Sequence, residues 1–364
     1  MKSAGIKPDL LFGYMLKNNF KSTIEHFDRW WERKNGTILL VADLKRPGPV
    51  YNNIQEFTNV ELSYERHYNY LKTGSFYGDT VPDMSSYLGP GSLCTFIGAQ
   101  PLYSNKTIWY KEGCTTTEEL VNNCNKFLNS IPSDFPWYEW SLRASQNNKD
   151  KSNGEYMASM PDLQQNLDII AAVMGADRMF MEIMDFPEKM HELLEILYFV
   201  WEKAFNAHFD IIKNEKGYSA YTHYNIVGKG RTSVLQSDIS CMMSKDMFNE
   251  YEMPYLRKQS SVLDNVIYHL DGPGAVRHLD SILSIDEINA VQWVPGAGNP
   301  GNADVCWHHL YDKIAQSDKG LYVFLLPEEI DVFLEKYGKG RILIRTLADS
   351  EEEQKQLVNK YSTI

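Results

Sequence analysis

The stretch Tyr268-His269-Leu270-Asp271-Gly272-Pro273-Gly274 places a histidine and a carboxylate two residues apart, at the end of an apolar run and just ahead of a glycine-rich turn. Side chains at i and i+2 of an extended strand share a face, so His269 and Asp271 are expected to project together where the strand 265–270 ends. An imidazole beside a carboxylate supports two kinds of chemistry. With one more nitrogen or oxygen ligand it holds zinc or a harder divalent ion, and the third ligand is sought in His223, Glu182 or Asp238. Without a metal, the same groups serve as general acid and base. Asp238 leads that second reading, because it follows an apolar strand, where a carboxylate must find a partner or a task. Burial beneath aromatic rings would raise its pKa, with His223 or His269 as partner. The structural alternatives are a hydrogen-bonded core histidine at 269, a buried hydrogen-bonding carboxylate at 238, and at 271 a carboxylate capping the turn and the helix from Ala275.

Substrate contacts are sought among aromatic and basic residues. Trp137 and Trp140, in the loop-like run Trp137-Tyr138-Glu139-Trp140, and Trp293 at a strand end offer indole faces. Such faces stack on sugars or attract quaternary ammonium groups, although Trp30 and Trp201 show that many aromatics here fall at core spacing. Arg277, after Gly272-Pro273-Gly274, and Arg231, in Gly228-Lys229-Gly230-Arg231, are candidate contacts for an anion. Neither the first turn nor Gly296-Ala297-Gly298 matches a phosphate-loop or dinucleotide fingerprint.

The elements that must position these groups alternate between helix and strand. Phe20, Ile24, Phe27 and Trp31 recur at helical spacing, Asn35-Gly36 stops that helix, and the run 38–41 opens a strand ending at Asp43. Residues 45–110 are less regular, and 147–154 read as a polar loop. Strands are expected at 156–160, closed by Pro161-Asp162, and at 178–184. A helix opens at Asp185-Phe186-Pro187-Glu188 and runs to about Ile212. Residues 218–223 and 234–240 read as extended, and Ser244 as the N-cap of a helix through Leu256. The strand 265–270, a helix from Ala275, the strand 288–294, a helix over 304–315 and the strand 321–326 complete the pattern. Repeated strand–helix units imply a parallel sheet with right-handed crossovers. With about eight strands, the expected fold is α/β, a single (β/α)8 TIM-type barrel over 36–364 with an N-terminal helical extension over 1–35. An open doubly wound sheet is the alternative.

Composition narrows the function. The 364 residues are 43% hydrophobic, enough for one large core, and carry a formal charge of −12. Nucleic-acid and anionic-membrane binding rest on lysine and arginine, and no basic stripe is present. The five cysteines, Cys94, Cys114, Cys124, Cys241 and Cys306, form no CxxC pair, and no stretch is apolar enough to span a bilayer. A cytoplasmic protein is expected.

The run Ser233-Val234-Leu235-Gln236-Ser237-Asp238, followed by Met243-Ser244-Lys245-Asp246-Met247-Phe248 and Met253-Pro254-Tyr255-Leu256, resembles a segment of the uroporphyrinogen decarboxylase superfamily. Asp185-Phe186-Pro187-Glu188, Tyr268-His269-Leu270-Asp271-Gly272 and Gln292-Trp293-Val294-Pro295-Gly296 fall in the family's order, over residues 88–326. That superfamily includes methyltransferases that work with methylated corrinoid proteins, and the resemblance implies a barrel with its site at the strand ends. Two departures matter. The corrinoid-linked members hold zinc with a His-x-Cys pair and a later cysteine; here Asp271 stands at the matching position and no cysteine follows Cys306. The porphyrinogen decarboxylases carry an Arg-x-x-Gly-Arg signature, for which this chain offers only Lys45-Arg46-Pro47-Gly48. Three readings follow: a methyltransferase acting on a small substrate with a separate corrinoid protein; a metal-dependent or acid/base lyase or decarboxylase acting on a small acid or sugar derivative; and a non-catalytic small-molecule-binding protein. The metal would be zinc-like with nitrogen and oxygen ligands, the corrinoid would sit only on the partner protein, and a homodimer is among the assemblies allowed.

Overall fold

A computed structural model describes residues 16–48, 54–104 and 107–362; the first fifteen residues of the expected N-terminal extension lie outside them. Helix α1 (Phe20–Trp31) precedes twelve strands among the described residues: β1 (Ile38–Leu44), β2 (Asp83–Ser85), β3 (Gln100–Tyr103), β4 (Ile108–Lys111), β5 (Met157–Met160), β6 (Tyr218–Tyr221), β7 (Ile226–Lys229), β8 (Thr232–Gln236), β9 (Asn265–Asp271), β10 (Ala290–Val294), β11 (Gly320–Phe324) and β12 (Ile342–Ala348). Six of them form one all-parallel sheet in the order β1-β12-β11-β10-β9-β8. A second sheet runs β2-β5-β6-β7, parallel except for the β6–β7 hairpin. The chain is thus an α/β protein whose central strands are apolar on both faces, as parallel strands covered by helices must be.

The two sheets are tied to each other along both margins. Beside β1, Asp79 N–H donates to Leu40 O at 2.9 Å, Leu40 N–H to Asp79 Oδ2 at 2.8 Å, and Ala42 N–H to Thr80 Oγ1 at 3.1 Å. On the other side, Thr232 N–H at the start of β8 donates to Ser219 Oγ of β6 at 3.2 Å. The turn between β6 and β7 bridges the interior: Tyr322 of β11 donates its hydroxyl to Tyr224 O at 2.8 Å, Arg345 of β12 donates to His223 O, and Asn225 bonds both Val81 N–H and Val81 O at 2.7 Å. His223 and Asn225 hold this turn in the left-handed region, with φ of 54° and 53°, a conformation that costs a non-glycine residue free energy unless its surroundings enforce it.

Helix α1 covers the opposite, amino-terminal end of the strands. Its buried face carries Phe20, Ile24, Phe27, Trp30 and Trp31, and the Trp31 indole donates to Val227 O at 2.8 Å. Gly320 opens β11 beneath it, and a Cβ there would stand 3.0 Å from the Trp30 ring.

Two expectations are corrected. Residues 178–184 lie within the helix Ala176–Asp185, not in a strand: only Met179 and Ile183, four apart, are buried, while Met181 and Met184 face solvent. Methionines on the exposed side hid the helical period. Trp137 and Trp140 stand on the helix Pro136–Asp150, not in a loop. Proline at its first position and buried residues Tyr138, Ser141, Ala144, Ser145 and Asn148 account for it. That helix also takes in the first half of the loop expected at 147–154.

Candidate metal centre and active site

Three side chains at matching register form the floor of the site. Gln236 of β8 and Gln292 of β10 are the cross-strand partners of His269 in β9, so all three share one face. His269 Nδ1 lies 2.5 Å from Gln292 Oε1. The amide oxygen only accepts, so Nδ1 carries the proton and the lone pair is left on Nε2, the tautomer of a metal-ligating histidine held by an outer partner. Gln236 is oriented in turn: its Oε1 accepts from the Tyr224 hydroxyl at 3.3 Å, and its Nε2 donates to Asp238 Oδ2 at 3.1 Å. The Tyr224 ring stands edge-on to the His269 ring at 5.7 Å.

Above this row, Asp238, His269 and Asp271 bring one ligating atom each to within 4.8 Å of one another. The alternation expected for β9 holds, with Tyr268 and Leu270 buried on one face and His269 and Asp271 half-buried on the other. Asp238 is open to solvent and follows β8 at the start of the 3-10 turn Asp238–Met242. Its carboxyl nonetheless lies close enough to surrounding protein for partial desolvation to raise its pKa, reinforced by the Asp271 and Asp162 carboxylates and opposed by His269. A cation seated among the three would relieve that repulsion, so the donor set of one imidazole and two carboxylates fits a borderline or hard divalent ion.

Deeper carboxyls support the trio. Asp168 and Glu252 are buried, and burial raises both, Glu252 to about 8. Folded, Glu252 holds its proton to about pH 8, whereas an ordinary glutamate loses it near 4.5. The folded state then binds more protons across that window, so stability falls as pH rises from about 5 to 8. Glu252→Gln, neutral at every pH, is expected to remove a share of that fall on the order of a few kcal/mol, read as the change in urea midpoint between pH 5 and pH 8.

Beside the trio, at the same strand ends, lies a cavity of about 890 Å³ whose walls include Asp43, His67, Asp83, Tyr87, His223 and Arg345. Arg345 Nε donates to Asp43 Oδ2 at 2.6 Å. Burial pushes the His67 imidazole down to about 3, helped by Arg66, which keeps it neutral, and raises the Asp83 carboxyl. Asp162 links cavity and trio: it accepts from the Tyr221 hydroxyl at 3.2 Å, burial raises its pKa, and both His223 and His269 act against that rise.

The other residues singled out from sequence stand as follows. His223 lines the cavity and is not among the three clustered ligands. Glu182 is remote, because its segment is helical; its carboxylate accepts from Thr117 N–H and Oγ1 at 3.0 and 2.6 Å, at the start of the helix Thr117–Leu128. Trp293 lies on the face of β10 opposite Gln292, fully buried against Trp307 at 4.9 Å. Its indole nitrogen has no partner, so Trp293→Phe is expected to cost only about 1–2 kcal/mol through lost packing, with zinc stoichiometry unchanged. Trp137 packs toward Tyr103 at 6.4 Å, and Trp140 lines a separate groove of about 460 Å³ with Asn59 and Arg143. Arg231 precedes β8, at the amino end of the sheet, and donates to Asn206 Oδ1 at 3.3 Å. Arg277 is turned back onto Gly274 O at 2.8 Å. Asp43, Asp83, Asp162, Asp168 and Arg345 do not stand out as site residues in the sequence; their signal is position, Asp43 near the end of β1, Asp83 at the start of β2, Asp162 after β5, Asp168 in the first turn of the helix Asn166–Met174, and Arg345 within the apolar run 342–348. Cys94, Cys114 and Cys124 are buried, Cys241 and Cys306 exposed, all unpaired, and none joins the ligand cluster.

No family model and no curated protein matches the chain. Among the described residues, no helix is long and apolar enough to cross a membrane. Among solved structures, the chain is similar to a methyltransferase from Methanosarcina mazei, with a TM-score of 0.62 over 93% of this chain and 97% of that one at 11% sequence identity. At so low an identity the likeness is one of fold.

Proposed function

We propose that this chain is an enzyme of the uroporphyrinogen decarboxylase-like fold that moves a methyl group between a small substrate and a separate corrinoid protein, at a divalent metal centre formed by Asp238, His269 and Asp271. The two sheets are read as one (β/α)8-type barrel over 36–364, with α1 (Phe20–Trp31), from the expected extension over 1–35, across its amino end. The observation that carries the reading is the convergence of the three ligating atoms within 4.8 Å, with His269 oriented by Gln292, in a chain folded like a protein named a methyltransferase.

The bound ion would supply Lewis-acid polarisation of a substrate heteroatom at neutral pH. The chain's own residues do the rest. Gln292 keeps the proton on His269 Nδ1, and Gln236 with Tyr224 aims the Asp238 carboxylate. The adjoining cavity receives the body of the substrate, with His223, Asp83 and Arg345 in its polar wall. With Asp271 where the family has cysteine, the centre is harder than a thiolate site and favours oxygen or nitrogen substrates.

The elevated Asp238 carboxyl beside His269 favours a second reading, a lyase or decarboxylase working by acid/base chemistry alone. The deciding assay follows methylcobalamin absorbance in the presence of small amines, alcohols and thiols. Transfer that needs added zinc and disappears in Asp271→Ala supports the methyltransferase. Turnover of a small acid that survives chelation supports the lyase.

A further inference from the structure

We infer that Asp168 is the positioning residue of the centre: it sets where Asp238 stands relative to His269 and Asp271 by gripping the backbone of the turn that carries it. The inference rests on the proposed role of that trio.

Asp238 is the one member of the trio not on a strand. It begins a short 3-10 turn, and the first N–H groups of any such turn lack partners within it. Asp168 supplies them. Its Oδ2 accepts from Asp238 N–H and its Oδ1 from Ile239 N–H, both at 2.9 Å. Just upstream, Gln165 Nε2 donates to Gln236 O at 2.7 Å. Residues 165–168 therefore hold three backbone groups between positions 236 and 239, on the strand end that delivers the ligand.

The gripping segment is itself fixed from behind. Gln164 and Asn166 take φ values of 50° and 51°, left-handed conformations that persist in non-glycine residues when the surroundings over-determine them. The surroundings do so. Asn166 exchanges side-chain hydrogen bonds with Gln259 at 3.2 and 3.1 Å, and its Nδ2 donates to Glu252 Oε2 at 3.0 Å. Glu252 Oε1 accepts from Leu167 N–H at 3.2 Å. Gln165, Asn166, Asp168, Glu252 and Gln259 are all buried, so no water replaces a lost partner at low cost. Only a group with two acceptor oxygens satisfies both N–H groups; asparagine turns one oxygen into a donor facing a donor.

The test uses Asp168→Asn and needs two readouts. In amide hydrogen exchange on the metal-free protein, the variant is expected to speed exchange at Asp238 and Ile239 at least tenfold, while β10, β11 and β12 keep their protection. In zinc titration it is expected to weaken affinity by about 10- to 100-fold, the usual effect of losing an outer-shell partner. In the Asp238→Ala background the same change is expected to weaken zinc no further, because it acts through Asp238. Unchanged exchange at 238 and 239, or an undiminished loss of zinc affinity in the Asp238→Ala background, would overturn the inference. A wild type that binds no zinc would instead sink the metal reading, and the exchange result would still decide whether Asp168 holds Asp238 in place.

Discussion

His269→Ala and Asp271→Ala are each expected to weaken zinc binding by more than about 100-fold, since even the loss of an outer-shell partner costs about 10- to 100-fold. Each removes one of the three ligands clustered within 4.8 Å among the described residues. The fold is expected to tolerate both changes. His269 and Asp271 are half-buried at the end of β9, with their strand neighbours Tyr268 and Leu270 supplying the core contacts. Truncation there opens no sealed cavity, and Asp271→Ala removes a carboxylate that raises Asp238. Competition with a chromophoric chelator gives the affinity, and thermal unfolding of the same samples checks the fold. Loss of zinc together with loss of fold would make the two residues structural.

Arg341→Ala is expected to have the opposite profile, a large loss of stability with zinc binding intact. Arg341 is 2% exposed and joins α1 to the amino ends of two strands. Its guanidinium donates to Trp30 O at 3.0 Å, Asn289 O at 3.0 Å and Asp318 O at 2.8 Å. Trp30 O keeps a bond from Arg33 N–H and Asn289 O one from Gly320 N–H, so two of the three carbonyls retain a donor. What is lost is the charge-assisted strength of all three bonds, the donor to Asp318 O and the packing of the stem near the Trp30 ring. Together these amount to about 3 kcal/mol or more. The urea midpoint is expected to fall without a change in slope, and Arg341→Lys to recover part of it. The trio stands at the far ends of the strands, so zinc affinity is expected to stay within a factor of about two.

The strands from β8 to β11 were legible because parallel strands covered on both faces read as apolar runs, and the helices between them carry recognisable starts. Ser244 accepts from Met247 N–H at 3.2 Å as the N-cap it resembles, and the helix Pro187–Ile212 begins and ends where proline and the apolar period place it. The juxtaposition of Asp238, His269 and Asp271 was legible for the same reason. Adjacent parallel strands deliver their carboxyl ends to one place, and alternation fixes the shared face.

What escaped sequence reading was long-range or conformational. Gln236 and Gln292 gain their meaning only from the register that sets both opposite His269. Asp168 acts on a turn seventy residues away, and nothing in its own neighbourhood announces that. From sequence His223 reads as a candidate metal ligand because it follows β6. The left-handed turn at 223–225 instead sets it on the wall of the neighbouring cavity. Trp293 shows the converse: a tryptophan at a strand end belongs to whichever face alternation assigns it, and Gln292 holds the inner one. The strand β12 is not apparent in the sequence because Arg345 and Thr346 break its apolar run.

The most direct measurement is elemental analysis of the purified wild-type chain after zinc loading and desalting, beside the His269→Ala/Asp271→Ala double variant. About one zinc per wild-type chain and background in the variant is the expected result. Metal absent from both, or equal in both, would contradict the centre, and with it the methyl-transfer reading built on Asp238, His269 and Asp271.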